Sequence, residues 1–382
     1  FKPKPAYEIR LSLVGSEMCI RDSFPFGHET GFNFPKNKVV DFFKKVCASD
    51  NTKVFHNAPY DIGWLRTLGI EVKGKIVDTM IVAPLIDENQ FYYSLNGLGR
   101  EYLNEGKTEA ELNAAAAEWG LDPKAEMWRL PSAYVGTYAT QDAVLTLKLW
   151  DYFKVELEKQ NLWNVFDLEM ELLPIIIEMK RVGVRVDLER AEKIKKELIT
   201  KEKNLIKSIQ DQSGVKDLQL WAARSLAQVF DALKLSYLRT PTGQPSFTKA
   251  FLENHTHPVA SLIREARELN KSHSTFIDSI LKHQHNGRIH AEIRQLKGES
   301  GGTVTGRLSM SNPNLQQVPA RNKNIGPLIR SLFLPEENHT WCSADFSQQE
   351  PRILTHYSHL SKYDGASNIA EAYLEGLSLI HI

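Results

Sequence analysis

GGTVTGRLSMSNPNLQQVPAR, residues Gly301–Arg321, runs directly into NKNIGPLIRSLFLPEENHTWCSADFSQQEPRIL, residues Asn322–Leu354. Within this stretch Trp341–Ala344 is apolar enough for a buried strand, and Asp345 stands at its end. The polar run SQQE follows, then a helical pattern. A carboxylate at a strand terminus can hold a divalent metal while staying open to substrate. On its own, an aspartate in such a place reads as a turn residue. The weight comes from its neighbours: TGRLS, then NPNLQ followed by Val318, Pro319 and Arg321, then SADFSQQE.

Those three linked pieces, at that spacing, resemble the signature of the family A DNA polymerases. Upstream, Gly183–Asp187, Pro241–Ser246, Lys271–Phe276 and Gly287–His290 also have counterparts in that family. The resemblance implies two-metal phosphoryl transfer from dNTPs to a primer on a DNA template, with magnesium (or manganese) as cofactor. It implies that Asp345 and the main-chain carbonyl of Phe346 are metal ligands, and that Glu350 excludes a ribose 2′-hydroxyl. It places Arg307 in the minor groove at the primer terminus, where acceptors are similar for every correct pair. Asn314, Gln317 and Arg321 fall where the family contacts DNA. Pro351 departs from the usual bacterial leucine and is similar to phage-type members. A proline in the first helical turn costs little.

Working toward the N-terminus, residues 161–300 read as mostly helical. Phe166–Val182 shows an apolar face of Leu168, Leu172, Ile175, Ile176 and Met179, stopped by Gly183. VRVD (Val184–Asp187) is extended, and a lysine-rich helix follows over Leu188–Gln212. Its interleaved glutamates fit a solvated helix as well as a DNA contact. RTPTGQPS (Arg239–Ser246) is turn chemistry, further helix runs to about His283, and HNGRIHAEIRQ (His285–Gln295) enters a strand.

Residues 24–160 mix strands and helices, as an α/β domain does. VFHNAPYDIGWL (Val54–Leu65) reads as a short strand and then a helix from Ala58–Pro59. IVDTMIVAPLID (Ile76–Asp87) reads as a strand edge and then a buried helix, and Tyr134–Val155 as a helix. Asn57 and Asp61 are spaced for one helix face, as are Tyr138 and Asp142. N-x-x-x-D and Y-x-x-x-D resemble the second and third motifs of the DEDDy 3′→5′ exonucleases, whose fold is ribonuclease H-like. That resemblance makes Asp142 a direct metal ligand, lets Tyr138 position the attacking water, has Asp61 act through metal-bound water and puts Asn57 in support. FGHETG (Phe26–Gly31) and VDTM (Val77–Met80) fit the same domain, with Asp78 structural.

The expected order is therefore an α/β exonuclease domain (24–160), a mostly helical thumb (161–300) and the start of an α+β palm (301–376). Leu13–Ser23 (LVGSEMCIRDS) and Leu377–Ile382 (LSLIHI) resemble a translated sequencing adapter and its complement, so residues 1–23 and 377–382 are expected to pack against nothing. The family's first exonuclease motif, D-x-E, and its later palm motifs have no counterpart here, so the polypeptide as it stands is expected to bind duplex DNA yet catalyse neither reaction. Two other readings stay open: a stand-alone DEDDy exonuclease with a helical tail, and a non-catalytic DNA-binding module.

Bulk properties do not discriminate among these. The chain has 382 residues, with 47 Lys+Arg against 47 Asp+Glu, so net charge neither indicates nor excludes DNA binding. The three cysteines, Cys19, Cys47 and Cys342, form no C-x-x-C pair, which fits a cytoplasmic protein, of the host if phage-encoded. No apolar run approaches the ~20 residues that span a bilayer. A processivity factor is not readable.

Overall fold

The computed structural model describes residues 12–14, 21–107, 109–298, 301–320 and 322–377. It separates into a larger unit ending at Leu334 and a smaller one beginning at Pro335.

The larger unit opens with β1 (Ser12–Val14), β2 (Arg21–Ser23) and α1 (Lys36–Ala48). Next come β3 (Lys53–Phe55), α2 (Ala58–Thr67), β4 (Ile76–Asp78) and α3 (Thr79–Ile86). Three helices follow, α4 (Leu95–Leu103), α5 (Ala110–Glu118) and the long α6 (Ser132–Lys159). β3 and β4 pair in parallel, Val54 opposite Val77, which carries the chain ends at Phe55 and Asp78 to the same edge. Val77, Val82, Leu98, Leu145, Leu149 and Phe153 close one core over this sheet.

The expectation that residues 1–23 pack against nothing fails for their described part. β1 and β2 pair antiparallel, Leu13 opposite Asp22, and lie against α6. Gly136 of α6 faces Ser23 there. The pair forms its own two-stranded sheet and does not join β3 and β4. At the other end, the Leu377 N–H donates to Ala372 O, and residues 378–382 lie outside the described residues.

α7 (Trp163–Val182) leads on to β5 (Val184–Val186), α8 (Leu188–Ser213) and α9 (Ala223–Ala232). The buried face of α7 is Phe166, Met170, Leu173, Ile176 and Ile177. That corrects the face read from sequence, because Leu168, Ile175 and Met179 are exposed. Apolar residues lie on more than one side of this helix, so they do not declare its inner face; here packing against α2, α3, β4 and α6 selects it. Lys193, Lys196, Lys201, Lys203 and Lys207 of α8 are exposed. Lys195 is half-buried and pairs with Asp278 at 2.7 Å. Ala191, Ile194, Leu198 and Ile209 are buried and so, against the solvated reading of the helix's glutamates, is Glu202. Asp187 caps this helix by accepting from the Arg190 N–H at 2.9 Å, and Gly214 ends it in the left-handed conformation.

The hairpin of β6 (Leu238–Arg239) and β7 (Pro245–Ser246) precedes α10 (Lys249–Asn254) and α11 (Pro258–Lys271). Phe230, Phe247, Val259 and Ile263 form a second core there. A π-helical turn over Ser272–Ile277 leads into α12 (Asp278–His283). The remaining strands are β8 (Gln284–His285), β9 (Arg288–Ile289), β10 (Glu292–Arg294) and β11 (Ser309–Ser311), then α13 (Ile325–Arg330) and β12 (Phe333–Leu334). β12, β5, β9 and β8 form an antiparallel sheet in that order.

Gly183 joins α7 to β5 at φ 62° and ψ −167°, a region nearly restricted to glycine. A Cβ there would meet Ile289 O at 2.5 Å and His290 Nδ1 at 2.7 Å. Gly183→Ala should therefore destabilise the larger unit by roughly 2 kcal/mol, read from the denaturation midpoint. An unchanged midpoint would mean that this junction relaxes freely.

The smaller unit holds α14 (Gln349–Leu360) and α15 (Ala366–Leu374), packed together with Arg352 4.7 Å from the Tyr373 ring centroid. The buried strand expected at Trp341–Ala344 is not formed. Residues 341–346 are irregular and exposed, with Trp341 at 60% and Phe346 at 78% of full exposure. A strand is stable only when its N–H and C=O groups find a ladder, and no described strand pairs with this segment. No described helix is long and apolar enough to cross a membrane.

Candidate functional site

The parallel pairing of β3 and β4 puts Asp78 beside the turn that starts α2. The Asp78 carboxylate is buried and accepts three main-chain N–H groups. Oδ1 accepts from Asn57 and Met80, each at 2.9 Å, and Oδ2 from Ala58 at 2.7 Å. One side chain thus caps α3 and pins the turn before α2. Burial raises its pKa to about 6, against the lowering effect of those N–H donors, so near neutral pH it is mostly ionised and satisfied. The structural role expected for Asp78 is the one seen.

Asn57 is corrected in placement. It is not on the helix but is its N-cap, at φ 73°, with its N–H turned to Asp78. Its pairing with Asp61 by helical spacing therefore starts one residue too early. Asp61 is in the first turn of α2, beside the buried Ile62.

On α6, Tyr138 and Asp142 are one turn apart, as their spacing requires. What joins them is Lys107, which sequence reading missed. Its Nζ donates to Asp142 Oδ2 at 2.9 Å and to Tyr138 OH at 3.2 Å, and lies 5.0 Å from the Tyr138 ring centroid. Burial works against the ammonium, but Asp142 and Tyr138 outweigh it and raise its pKa. Lys107 also acts on His56, the residue before Asn57. Burial first, and the Lys107 charge second, hold that imidazole down to about 3, so it is neutral. His56 Nδ1 lies 2.9 Å from Thr79 Oγ1. The Lys107 charge, paired on α6, thus also bears on the residue that leads into α2. No spacing rule announces Lys107, because its partners stand 31 and 35 residues away.

Residues of the second predicted constellation divide between the units. Arg307 is exposed, and its carbonyl accepts from Thr303 Oγ1 at 2.6 Å. Asn314 Oδ1 accepts from the Gln316 N–H, and Asn314 and Gln317 line one small cavity with Thr275, Phe276 and Ser279. Arg321 lies outside the described residues. Asp345, Phe346 and Glu350 belong to the smaller unit, all exposed, with Glu350 in the first turn of α14.

Among the described residues no three His, Cys, Asp or Glu side chains stand together as a metal cage. The exposed Asp345 carboxylate and the neighbouring main chain offer the oxygen donors that magnesium takes. At Asp142 the fit is poor, because Oδ2 already accepts from an ammonium group.

Residues 188–367 match the profile of DNA polymerase family A, and residues 21–158 that of a 3′-5′ exonuclease. The chain is 36% identical over 368 residues to a DNA-directed DNA polymerase of Pseudomonas phage M6, covering 92% of this chain and 55% of that protein. It is 34% identical over 350 residues to DNA polymerase DpoZ of Salmonella phage PMBT28, covering 85% and 55%. It is 28% identical over 384 residues to DNA polymerase I of Chloroflexus aurantiacus, covering 97% and 38%. The chain spans about half the length of these phage relatives. Its fold resembles the POL domain of Pol1 from M. smegmatis, solved with DNA primer-template and dNTP. The TM-score is 0.68 at 24% identity, over 86% of this chain and 53% of that one.

Proposed function

Because this chain belongs to the family A DNA polymerases and carries their 3′-5′ exonuclease domain, we propose that it serves template-directed addition of dNTPs to a primer, with proofreading. Family membership implies dependence on divalent metal. The observation that carries the reading is the run from TGRLS to SADFSQQE, which lies inside residues 188–367 of the family match. A stand-alone exonuclease would have no use for that segment.

In this proposal the exonuclease domain spans 24–160, the thumb 161–300 and the start of the palm 301–376. Asp345 and the Phe346 carbonyl would hold divalent ions, which supply neutralisation of phosphate charge. Glu350 would select deoxynucleotides by closing the space of a 2′-hydroxyl. Arg307, Asn314, Gln317 and Arg321 would hold primer–template DNA. At the proofreading site Tyr138, Asp142 and Asp61 would handle hydrolysis, with Asn57 in support. The position of Tyr138 and Asp142 one turn apart on α6 supports that assignment.

Primer–template binding by the chain tests the proposal. Affinity should fall steeply with added salt as counterions are released. Arg307→Ala should weaken binding by roughly tenfold, the low end for losing a base-edge arginine contact. Binding that ignores salt, or that is indifferent to Arg307, would count against a DNA groove at this place.

A further inference from the structure

Lys107 sits where the exonuclease reading would put a metal ion, and its placement is built. The Lys107 main-chain N–H donates to Asn96 Oδ1 at 2.9 Å. The preceding carbonyl, of Gly106, accepts from Gln141 Nε2 on α6 at 3.1 Å. The loop is thus fastened to α4 on one side and to α6 on the other. The lysine head group is fixed by Asp142 and Tyr138 at 2.9 and 3.2 Å, with side-chain exposures of only 14% for Lys107 and 27% for Asp142.

An ammonium 2.9 Å from one oxygen of a carboxylate repels a divalent ion arriving at the same group, and in a partly dry site that repulsion is poorly screened. We propose that Lys107 is a resident counter-cation of the exonuclease site, and that a divalent ion reaches Asp142 only by displacing it. The proposal rests on the reading of Asp142 as an exonuclease residue. The lysine neutralises the carboxylate and draws it and the Tyr138 phenol to one charge. The site is then assembled before the ion arrives, at the expense of affinity for that ion. Once displaced, the ammonium is a mobile positive charge at the edge of the same site, of a sign suited to a DNA phosphate.

Titration of the chain with Mn2+ alone, followed by the electron paramagnetic resonance signal of the free ion, tests this without any activity assay. Lys107→Met should tighten one Asp142-dependent site by about tenfold or more, since a competing charge is removed. Lys107→Arg, which keeps the charge, should stay within about threefold of the parent chain by the same argument. Asp142→Asn should abolish that site in either background, and circular dichroism melting confirms that each variant is folded. If Lys107→Met leaves Mn2+ affinity unchanged or weaker while Asp142→Asn still abolishes it, the displacement idea is overturned and the exonuclease assignment stands. If Mn2+ binding is indifferent to Asp142→Asn, the exonuclease assignment of Asp142 fails and the proposal goes with it. If binding is absent in both the parent and Lys107→Met, the displacement idea is overturned while the assignment stands, because D-x-E has no counterpart here.

Discussion

Asp78→Ala should cost the larger unit roughly 3–4 kcal/mol, because it strands three main-chain N–H groups at once. Those of Asn57, Ala58 and Met80 all donate to this one carboxylate, and the site is too buried for water to replace it freely. Asp78→Asn should lose about half as much: its remaining oxygen can serve two donors, but its amide would face the Ala58 N–H. The effect should also reach α2, since Asn57 at φ 73° is held by that contact. Hydrogen exchange at Asn57 and Ala58 should quicken more than exchange in α11, which is remote from it. The pH dependence has a definite sign. Burial raises the folded-state pKa from 3.8 to about 6, so between those values the folded form binds more protons than the unfolded chain. The stability gap between the parent and Asp78→Asn should therefore widen as pH falls through 6 and be smallest above it. A gap that narrows on acidification would show that the N–H donors outweigh burial.

Under the proposed function, Asp345→Asn in a family A polymerase containing this segment should reduce primer extension by roughly a thousandfold or more. A metal-held phosphate contributes several kcal/mol to such a reaction, and each 1.36 kcal/mol is about tenfold in rate. Primer–template affinity should stay within about threefold, because the DNA contacts proposed for Arg307, Asn314, Gln317 and Arg321 draw on phosphate and groove chemistry alone. The split between rate and binding is the informative part. Equal loss of both would make Asp345 a folding residue. Extension that survives the substitution would remove it from the reaction altogether.

Much of the local structure was readable because it obeys short-range rules. The strand-to-helix turn at Ala58–Pro59, the stop at Gly183, the capped helix after Asp187 and the hairpin around Arg239–Ser246 each depend on residues a few positions apart. The family was readable for a different reason: TGRLS, NPNLQ and SADFSQQE are a composite pattern that few other chains would present.

Errors arose where a local rule needed a distant partner. Trp341–Ala344 has the composition of a buried strand but no described strand to pair with, so it is extended in pattern and exposed in fact. The inner face of α7 was misjudged because apolar residues lie on more than one side of the helix, and only its packing against α2, α3 and α6 chooses among them. Asn57 matched a helical spacing to Asp61, yet the Asp78 carboxylate draws its main chain into a left-handed turn ahead of the helix.

By itself the sequence determined the order of elements, the family and the identity of Tyr138, Asp142 and Asp345 as residues to examine, because each is encoded in short spacings or in one contiguous pattern. Only the tertiary structure decided what surrounds them. Lys107 joins Tyr138 and Asp142 across 31 and 35 residues, and Asp78 reaches Asn57 across 21. Charge pairing and N–H capture act over a few ångströms of space, whatever the separation along the chain, so such partners become visible only once the chain has folded.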